Sequence, residues 1–482
     1  MKSKTQQSGR SSTNAGRTAG FWQRFKWDII IILLMGGLLY YGASWQIFHT
    51  NTDAAKYECY AVAFWQGLPA LKSLPKEQCW FIQHPDKEFA AGAPSTAAIV
   101  QKMRSSGAPE WLSSFVASQS ATERFHSLPR EYPLLAIFFF SLGMIVPPFL
   151  SQIAYAIWMI LLAALVYIVL LRYRSRQAAI ACALYFVVGG WATVAGRFDI
   201  VPAAFTLFAL LCAVKAHWKW AFFLLAIATL LKFYPVLLLL PFLLGQQMAS
   251  RERWYAWRRW VPLGIYGVVC ASVMFVSLLL SVEGTLAPLS YFFGRPVQIE
   301  SLASSLLWLL DRLLGQPQHY VYTFGSLNVL SPYAALISPL MTLIEGAGLL
   351  SVLWLQWHRK IDLPTASLLF LLLVLLTGKV FSPQYLIWLI PLLAYVGEGD
   401  RRWVVIGGLL CLLTTWIYPY IYTMAPLLKV PYLRLFYPVV TVRNFLLLIS
   451  VITLLVFYAR RRAIAEPPIS VQQANRHPVG TH

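Results

Sequence analysis

The stretch IIIILLMGGLLYYGASWQIFHTNTD, residues 29–53, decides the fold class of this chain. Residues 29–47 carry no charge, and a helix of this length crosses the hydrocarbon core of a bilayer. The preceding residues 1–28 carry six Lys and Arg residues. By the positive-inside rule we expect this arm to be cytoplasmic and Asp53 to emerge on the outer side.

The rest of the chain repeats this pattern of apolar runs separated by short basic clusters. Hydrophobic residues make up 58% of the sequence and charged residues 12%, a balance that a soluble core could not bury. The net charge of +20 comes from clusters between apolar runs, which orient helices in a membrane rather than form a nucleic-acid surface. The sequence predicts an all-α polytopic membrane protein.

The basic clusters set a path for the chain. We predict about twelve transmembrane helices within residues 29–460, with both termini cytoplasmic and residues 1–28 and 461–482 disordered. The predicted spans are 29–47, 151–171, 178–196, 200–216, two short helices between 219 and 251, 261–281, 335–357, 364–379, 385–397, 402–420 and 443–459. The two short helices break at Lys232 to Pro235, because proline removes a backbone donor and a buried ion needs a cavity or a partner.

Two segments between the first spans are unusual. Residues 48–132 form a first extracytoplasmic loop that is too long for a simple connector. It contains Cys59 and Cys79, which either form a disulfide or remain free thiols. Residues 133–148 are apolar but end in two prolines, and we predict a juxtamembrane helix that does not cross.

The charges outside the basic clusters gather on the predicted outer face, which favours an enzyme acting there on a lipid-borne substrate. A transporter would keep ionisable groups near the midplane of two similar halves. Asp53 is either a helix cap or a general base that deprotonates an acceptor hydroxyl. Lys232, Arg295 and Lys379 come from separate outer turns and either bind a phosphate or extend to the lipid headgroups. Arg197 is either a fourth such cation or a local ion-pair partner of Asp199.

Other chemistry has little support in the sequence. His126 and His319 are lone loop histidines that could act as acids or bases. Motifs for nucleotide phosphates, a zinc protease or a serine nucleophile do not occur. A carrier that flips or transports a lipid or polyol, and a scaffold of an envelope complex, remain the alternatives to an enzyme.

Six segments, in order, resemble glycosyltransferase family 87, a group of C-type membrane glycosyltransferases that includes polyprenyl-phosphate-mannose-dependent mannosyltransferases. They are NTDAAKYECYAVAFWQG from residue 51, REYPLLA from 130, GRFDIVPAAF from 196, LKFYPVLLLLP from 231, GRPVQIES from 294 and KVFSPQYLIWLIP from 379. Two features depart from the family pattern. Leu134 follows Tyr132 and Pro133 where the family commonly has a second proline, and the first loop is longer than expected.

The resemblance implies a C-type bundle that transfers a sugar, with mannose favoured, from a polyprenyl phosphate to a glycolipid or glycan acceptor at the outer face of the cell membrane. Transfer would invert the anomeric centre with Asp53 as base and without a metal or other cofactor. Lys232, Arg295, Lys379 and Arg197 are the candidates for the donor phosphate. The candidates for sugar or acceptor binding are Tyr57, Glu131, Tyr132, Asp199, Gln298, Glu300, His319, Gln384 and Tyr385.

Overall fold

The structure is a computed structural model that describes residues 12–75, 77–84 and 95–463. In chain order its α-helices are α1 (Ser12–Gly42), α2 (Ser44–Phe48), α3 (Asp53–Gln66), α4 (Trp80–Gln83), α5 (Thr96–Ser105), α6 (Glu110–Ala117), α7 (Ala136–Phe140), α8 (Ser151–Tyr173), α9 (Arg176–Gly189), α10 (Ile200–Val214), α11 (Trp218–Leu231), α12 (Leu239–Ala249), α13 (Trp257–Leu280), α14 (Val282–Gly294), α15 (Leu302–Leu313), α16 (Ala334–Trp357), α17 (Leu363–Thr377), α18 (Leu386–Gly397), α19 (Arg401–Thr415) and α20 (Phe436–Arg460). Two strands, β1 (His319–Thr323) and β2 (Ser326–Leu330), form the β-structure of the described residues.

Five helical segments of the described chain are long and apolar enough to cross a membrane. They are Pro148–Tyr173, Trp257–Leu280, Ala334–Trp357, Arg401–Thr423 and Phe436–Arg460. Several shorter apolar helices lie among them. Apolar side chains such as Leu343, Phe275 and Ile449 are exposed on the long helices, as expected for surfaces that face lipid tails. The chain is therefore a polytopic helical membrane protein.

The shorter apolar helices form the centre of the bundle. Nearly every side chain of α17 and α18 is buried, and α10 packs along both α11 and α18. Small residues such as Ala203, Ala204 and Ala226 are fully buried there. Small side chains let helix backbones approach closely. This close contact stabilises helix packing in lipid, where the hydrophobic effect does not drive helices together.

The predicted break at Lys232 is confirmed. Helix α11 ends at Leu231, Lys232 has extended backbone angles, and a 3-10 turn over Tyr234–Leu238 leads into α12. Pro235 has no backbone N–H to continue the α-helical ladder. The break thus places Lys232 between the two helical segments.

The segment after the first loop contains only a short helix. Helix α7 and the 3-10 turn Ser141–Ile145 together span ten residues, about 15 Å along a helix axis, half of the ~30 Å hydrocarbon core. That this segment does not cross the membrane stays a prediction.

The first loop is ordered around α3 over its described part. Thr52 caps α3 by accepting a hydrogen bond from the backbone N–H of Ala55 at 3.4 Å. Cys59, on α3, forms a disulfide with Cys79, so the bonded alternative for this pair is the one found. Residues 85–94 of this loop lie outside the described residues.

Two sequence expectations need correction. Helix α1 begins at Ser12, so residues 12–28 of the predicted disordered arm are helical, because no proline interrupts the helix that the apolar span propagates. The β1–β2 hairpin was not expected. Its turn residues Phe324 and Gly325 have φ values of 52° and 65°, and positive φ at both central residues matches a hairpin turn of the mirror-image class. Residues 1–11 and 464–482, at the ends of the predicted arm and tail, lie outside the described residues.

Candidate active site: a charged cavity beside Asp53

A cavity of about 290 Å³ opens beside the start of α3. Its wall comes from α3, the turns before α7 and α10, the break after α11, the loop before α15, the β1–β2 hairpin and the loop before α18. Ten of the residues predicted for the site line it: Asp53, Glu131, Tyr132, Arg197, Lys232, Arg295, Gln298, Glu300, Gln384 and Tyr385. Segments distant in the sequence thus converge on one polar chamber.

Asp53 is the first residue of α3, and its carboxylate faces this cavity. The Asp53 side chain is 23% exposed, and Arg197 Nη1 lies 2.5 Å from Asp53 Oδ2. Lys56 Nζ, one helical turn along, is 3.9 Å from Asp53 Oδ1. The backbone N–H of Asp53 donates to Gln46 Oε1 at 3.1 Å, so the start of α3 is fixed by contacts that leave part of the carboxylate open.

The surrounding charges set the protonation of Asp53. Burial by itself raises the pKa of this carboxyl, but Arg197, Lys56 and Lys232 together outweigh it and lower the pKa. Asp53 is therefore ionised at neutral pH, as a proton acceptor must be. Because its basicity is reduced, Asp53 can take a proton only once the donor oxygen has become acidic, which happens when that oxygen forms a bond to an electrophilic carbon.

Glu131, the second carboxyl group on this wall, has the opposite shift. Burial raises the pKa of Glu131, and Asp53 raises it further, while Lys56, Arg295 and Lys232 oppose the shift without cancelling it. Two carboxyl groups in one site with pKa values shifted in opposite directions are typical of acid-base chemistry.

Lys232 is held in place by a buried carboxylate. Its Nζ donates to Asp199 Oδ1 at 2.5 Å, and Trp388 Nε1 donates to the same oxygen at 2.6 Å. Nζ also lies 5.5, 5.2 and 5.0 Å from the ring centroids of Tyr132, Tyr385 and Trp388. This aromatic enclosure stabilises the ammonium group beyond its ion pair.

The ion pairs differ from the local pairing considered for the GRFD segment. Arg197 pairs with Asp53, and Asp199 pairs with Lys232. Asp199 is the N-terminal neighbour of α10 and points into the bundle, whereas Arg197 lies in the preceding turn, over the ring of Tyr418 at 5.7 Å. Arg197 and Asp199 are two positions apart in the sequence, and the turn thus directs them toward different partners.

Arg295 is the cation of the cavity that lacks a carboxylate partner among the described residues. Its Nη1 donates to the hydroxyl of Tyr385 at 3.4 Å, and its guanidinium lies 5.3 Å from the ring centroid of Tyr291. Its Nε is buried without a hydrogen-bond partner in the part of the chain described. An arginine with no carboxylate within ion-pair distance and with an unused donor in the described structure is well suited to bind an anion.

The other predicted residues lie outside the wall. Tyr57 and Asp199 stand behind it: the Tyr57 hydroxyl lies 3.4 Å from that of Tyr132, and Asp199 is fully buried. Lys379 is exposed and does not line the cavity, although its backbone carbonyl accepts from Gln298 N at 2.9 Å. His319 is exposed on β1, and His126 lies in the first loop against the carbonyl of Leu280. Neither histidine lines the cavity.

Several residues of the wall were not expected from the sequence. Lys56 follows Asp53 by three residues and so shares its helix face, which is a signal that the sequence did carry. Tyr322 comes from the hairpin, and Tyr418 and Tyr422 come from the irregular end of α19. Aromatic residues are so frequent in membrane helices that no sequence signal distinguishes these three. Among the described residues, no three His, Cys, Asp or Glu side chains are grouped as metal ligands.

Comparison with known proteins adds a family. The family model described as glycosyltransferase family 87 matches residues 131–383, just over half of the chain. The match includes Glu131, Arg197, Lys232 and Arg295, and it ends before α18. Asp53 lies N-terminal to the matched segment. Neither the curated proteins nor the solved structures yielded a match to this chain.

Proposed function

The chain belongs to glycosyltransferase family 87, and we propose from this premise that it transfers a sugar from a polyprenyl phosphate to an acceptor hydroxyl in the cavity beside Asp53. The observation that carries the proposal is the arrangement of charge. A partly exposed carboxylate shares one chamber with Arg295, a cation without a carboxylate partner in the described structure. The carboxylate can take the proton of an acceptor hydroxyl, and Arg295 can bind the departing phosphate.

The reaction balances with these groups alone. The acceptor oxygen forms a bond to the anomeric carbon while its proton passes to Asp53. The bond between the anomeric carbon and the phosphate oxygen breaks, and the electron pair leaves on the polyprenyl phosphate. Attack opposite the leaving phosphate inverts the anomeric centre. Arg295, Lys232 and Arg197 stabilise the negative charge that develops on that phosphate.

The three cations contribute unequally in this proposal. Arg295 binds the phosphate most strongly, because no carboxylate lies within ion-pair distance of it in the described structure and its Nε has no hydrogen-bond partner there. Lys232 and Arg197 each already have a carboxylate within 2.5 Å and supply mainly field and orientation. Lys379, which the sequence favoured equally, lies outside the cavity wall and has a smaller part.

Sugar recognition would use the polar residues around these charges. Gln298, Glu300, Gln384 and Tyr385 lie on the loops before α15 and α18, and all four line the cavity. Amide and carboxylate groups can pair with vicinal hydroxyls, and the Tyr385 ring can contact a sugar face. Mannose is the sugar we favour, with a glycolipid or glycan as acceptor. The proposed transfer needs no metal.

The proposed topology places this cavity on the extracytoplasmic side of the cell membrane with both termini in the cytoplasm. Near the start of helix α8, Gln152 donates hydrogen bonds to the cavity residues Gln46 and Thr52, and the helix ends at the basic segment RYRSR. Helix α18 likewise starts after Tyr385 and ends near Arg401 and Arg402. Basic clusters thus lie at the helix ends away from the cavity, as the positive-inside rule requires for a cavity that faces outward. We propose about twelve crossings in a C-type bundle.

The test uses purified protein in liposomes with a short-chain polyprenyl-phosphate-mannose and a crude glycolipid acceptor. Mass spectrometry should detect free polyprenyl phosphate and a glycolipid heavier by one hexose. A lipid flippase or transporter predicts movement of the donor across the bilayer with no new covalent product. That result, in protein that binds the donor, would refute the proposed transferase reaction.

A further inference from the structure

Arg443 is a fully buried arginine within the apolar helix α20. No other fully buried side chain in the described residues is larger. A charged residue inside a membrane-spanning helix is costly and is most often retained for function, paired with a group in the bundle interior. The sequence segment VVTVRNFLLL showed this charge, but the predicted span began at Arg443 and treated it as a helix end.

The guanidinium of Arg443 holds one residue of the cavity wall through both its backbone and its side chain. Arg443 Nη2 donates to the backbone carbonyl oxygen of Glu300, and Nη1 lies 3.7 Å from Glu300 Oε2. Asn444, the next residue, donates to the same carbonyl at 3.1 Å and accepts from Arg443 Nε at 3.1 Å. Helix α20 thereby fixes the position of Glu300 at two points.

Glu300 has unused capacity to bind a ligand. Its Oε1 accepts from the Tyr422 hydroxyl at 2.6 Å and from Gln298 Nε2 at 3.3 Å. Its Oε2 is buried and has no hydrogen-bond partner in the described structure, although the residue lines the cavity. A buried carboxylate oxygen without a donor is costly, and a substrate hydroxyl would satisfy it.

Arg443 also contacts the second loop that carries proposed sugar-binding residues. Its guanidinium lies 4.0 Å from the ring centroid of Phe381, and the backbone N–H of Phe381 donates to Gln298 Oε1 at 3.0 Å. Gln298 lies in the loop before α15 and Phe381 in the loop before α18. The buried Arg443 side chain therefore contacts both of the loops that present Glu300, Gln298 and Tyr385 to the cavity.

We propose that Arg443 is a positioning residue for donor recognition, which acts by holding the Glu300 carboxylate where it accepts a hydrogen bond from a hydroxyl of the transferred sugar. The proposal rests on the function proposed above. It assigns to α20, which lies outside the segment matched by the family model, a part in sugar selectivity.

Donor binding and donor selectivity test this proposal together. The probes are short-chain polyprenyl-phosphate-mannose and its four monodeoxy analogues. Affinity is measured by calorimetry in detergent and transfer by mass spectrometry. The variants are Glu300→Gln, Arg443→Met, the double variant of these two, and Arg443→Lys. The control is Arg176→Met, which removes another arginine–carboxylate pair, with Asp28 at 3.0 Å, that does not line the cavity.

We expect one deoxy analogue to bind the wild type about tenfold more weakly than the full donor, the cost of a lost hydrogen bond to a charged group. Glu300→Gln and Arg443→Met should each abolish most of this discrimination, and the double variant should be no worse than either single variant. The double variant also removes both buried charges, so it remains informative if Arg443→Met alone does not fold. Arg443→Lys should restore part of the discrimination, and Arg176→Met should leave it intact.

An Arg443→Met variant that folds and discriminates among the deoxy donors as the wild type does would overturn the proposal. Additive losses in the double variant would do the same, because they would show that Arg443 does not act through Glu300. Wild-type protein that binds donor selectively without transferring the sugar would refute the transferase function and leave the Arg443 result readable. Wild-type protein that binds none of the donors would overturn both proposals.

Discussion

Two ion pairs of equal length on the cavity side of the molecule have different surroundings. Arg197 lies 2.5 Å from Asp53, and Lys232 lies 2.5 Å from Asp199. The Asp53 side chain is 23% exposed and lines the cavity, whereas Asp199 is fully buried behind it. Two ion pairs of similar geometry thus have different accessibility. Asp53 is open to the cavity, while the buried Asp199 holds Lys232 in place.

The comparison predicts its largest effect for Asp53→Asn. This change removes the proposed proton acceptor, and we expect kcat to fall about 1,000-fold, within the range for loss of a general base. The Arg197 side chain is only 16% exposed and loses its countercharge, but the Asp53 side chain is 23% exposed and lines the cavity, so the melting temperature should fall less than for loss of a fully buried carboxylate. A folded Asp53→Asn variant with kcat within tenfold of wild type would eliminate Asp53 as the base.

Asp199→Asn should act on stability instead. It leaves the Lys232 ammonium without its countercharge in a mostly buried position, and breaking such a pair costs about 3–5 kcal/mol. We expect a clear loss of melting temperature in detergent, measured by tryptophan fluorescence. Adding Lys232→Met to this variant should recover much of the lost stability. Failure of the second change to recover it would show that the pair is not the source of the effect.

The next prediction concerns Arg295, which has no carboxylate partner among the described residues. Arg295→Met should raise the KM for the polyprenyl-phosphate donor about 10- to 100-fold, the cost of one or two charge-assisted hydrogen bonds. Lys379→Ala, whose side chain is exposed outside the cavity wall, should change the same KM less than threefold, as expected for a screened surface charge. Equal effects of the two changes would contradict the unequal parts proposed for these cations.

The smallest predicted effect is a shift in pH dependence. Arg197 lowers the pKa of Asp53, so Arg197→Met should move the acid limb of kcat/KM to higher pH. The stability that Asp53 contributes is present above its ordinary pKa near 3.8 and is lost as the pH falls through its lowered folded value. Glu131 has a raised pKa and contributes in the opposite sense, with stability lost as the pH rises through its folded value. An unchanged acid limb in Arg197→Met would show that Arg197 does not set the basicity of Asp53.

The sequence was sufficient for much of the fold because bilayer thickness and basic flanks constrain where apolar helices begin and end. The break at Lys232 was predictable for a local reason, the nearby proline and a charge within an apolar run. The β1–β2 hairpin was not predicted, although aromatic and β-branched residues flank Phe324 and Gly325 in a pattern typical of such turns. Its short strands lie between the predicted spans 261–281 and 335–357, in a segment for which no helix was predicted.

For the site, the sequence indicated residue types but not partners. Asp53, Lys232 and Arg295 were singled out because charges are scarce in this chain, and all three line the cavity. The exchange of partners, with Arg197 on Asp53 and Asp199 on Lys232, depends on packing between helices far apart in the sequence. Lys379 satisfied the same sequence criterion, and His319 was named as a lone loop histidine; both lie outside the wall, because loop side chains near one face need not point into it.

The most direct test of the central claim is a structure of the Asp53→Asn variant with polyprenyl-phosphate-mannose bound, determined by cryo-electron microscopy in a nanodisc. The substitution should slow transfer enough to retain the intact donor. We expect phosphate density within hydrogen-bonding distance of Arg295, with the anomeric carbon between that phosphate and residue 53. Donor phosphate bound elsewhere, with this cavity holding no sugar, would contradict sugar transfer beside Asp53.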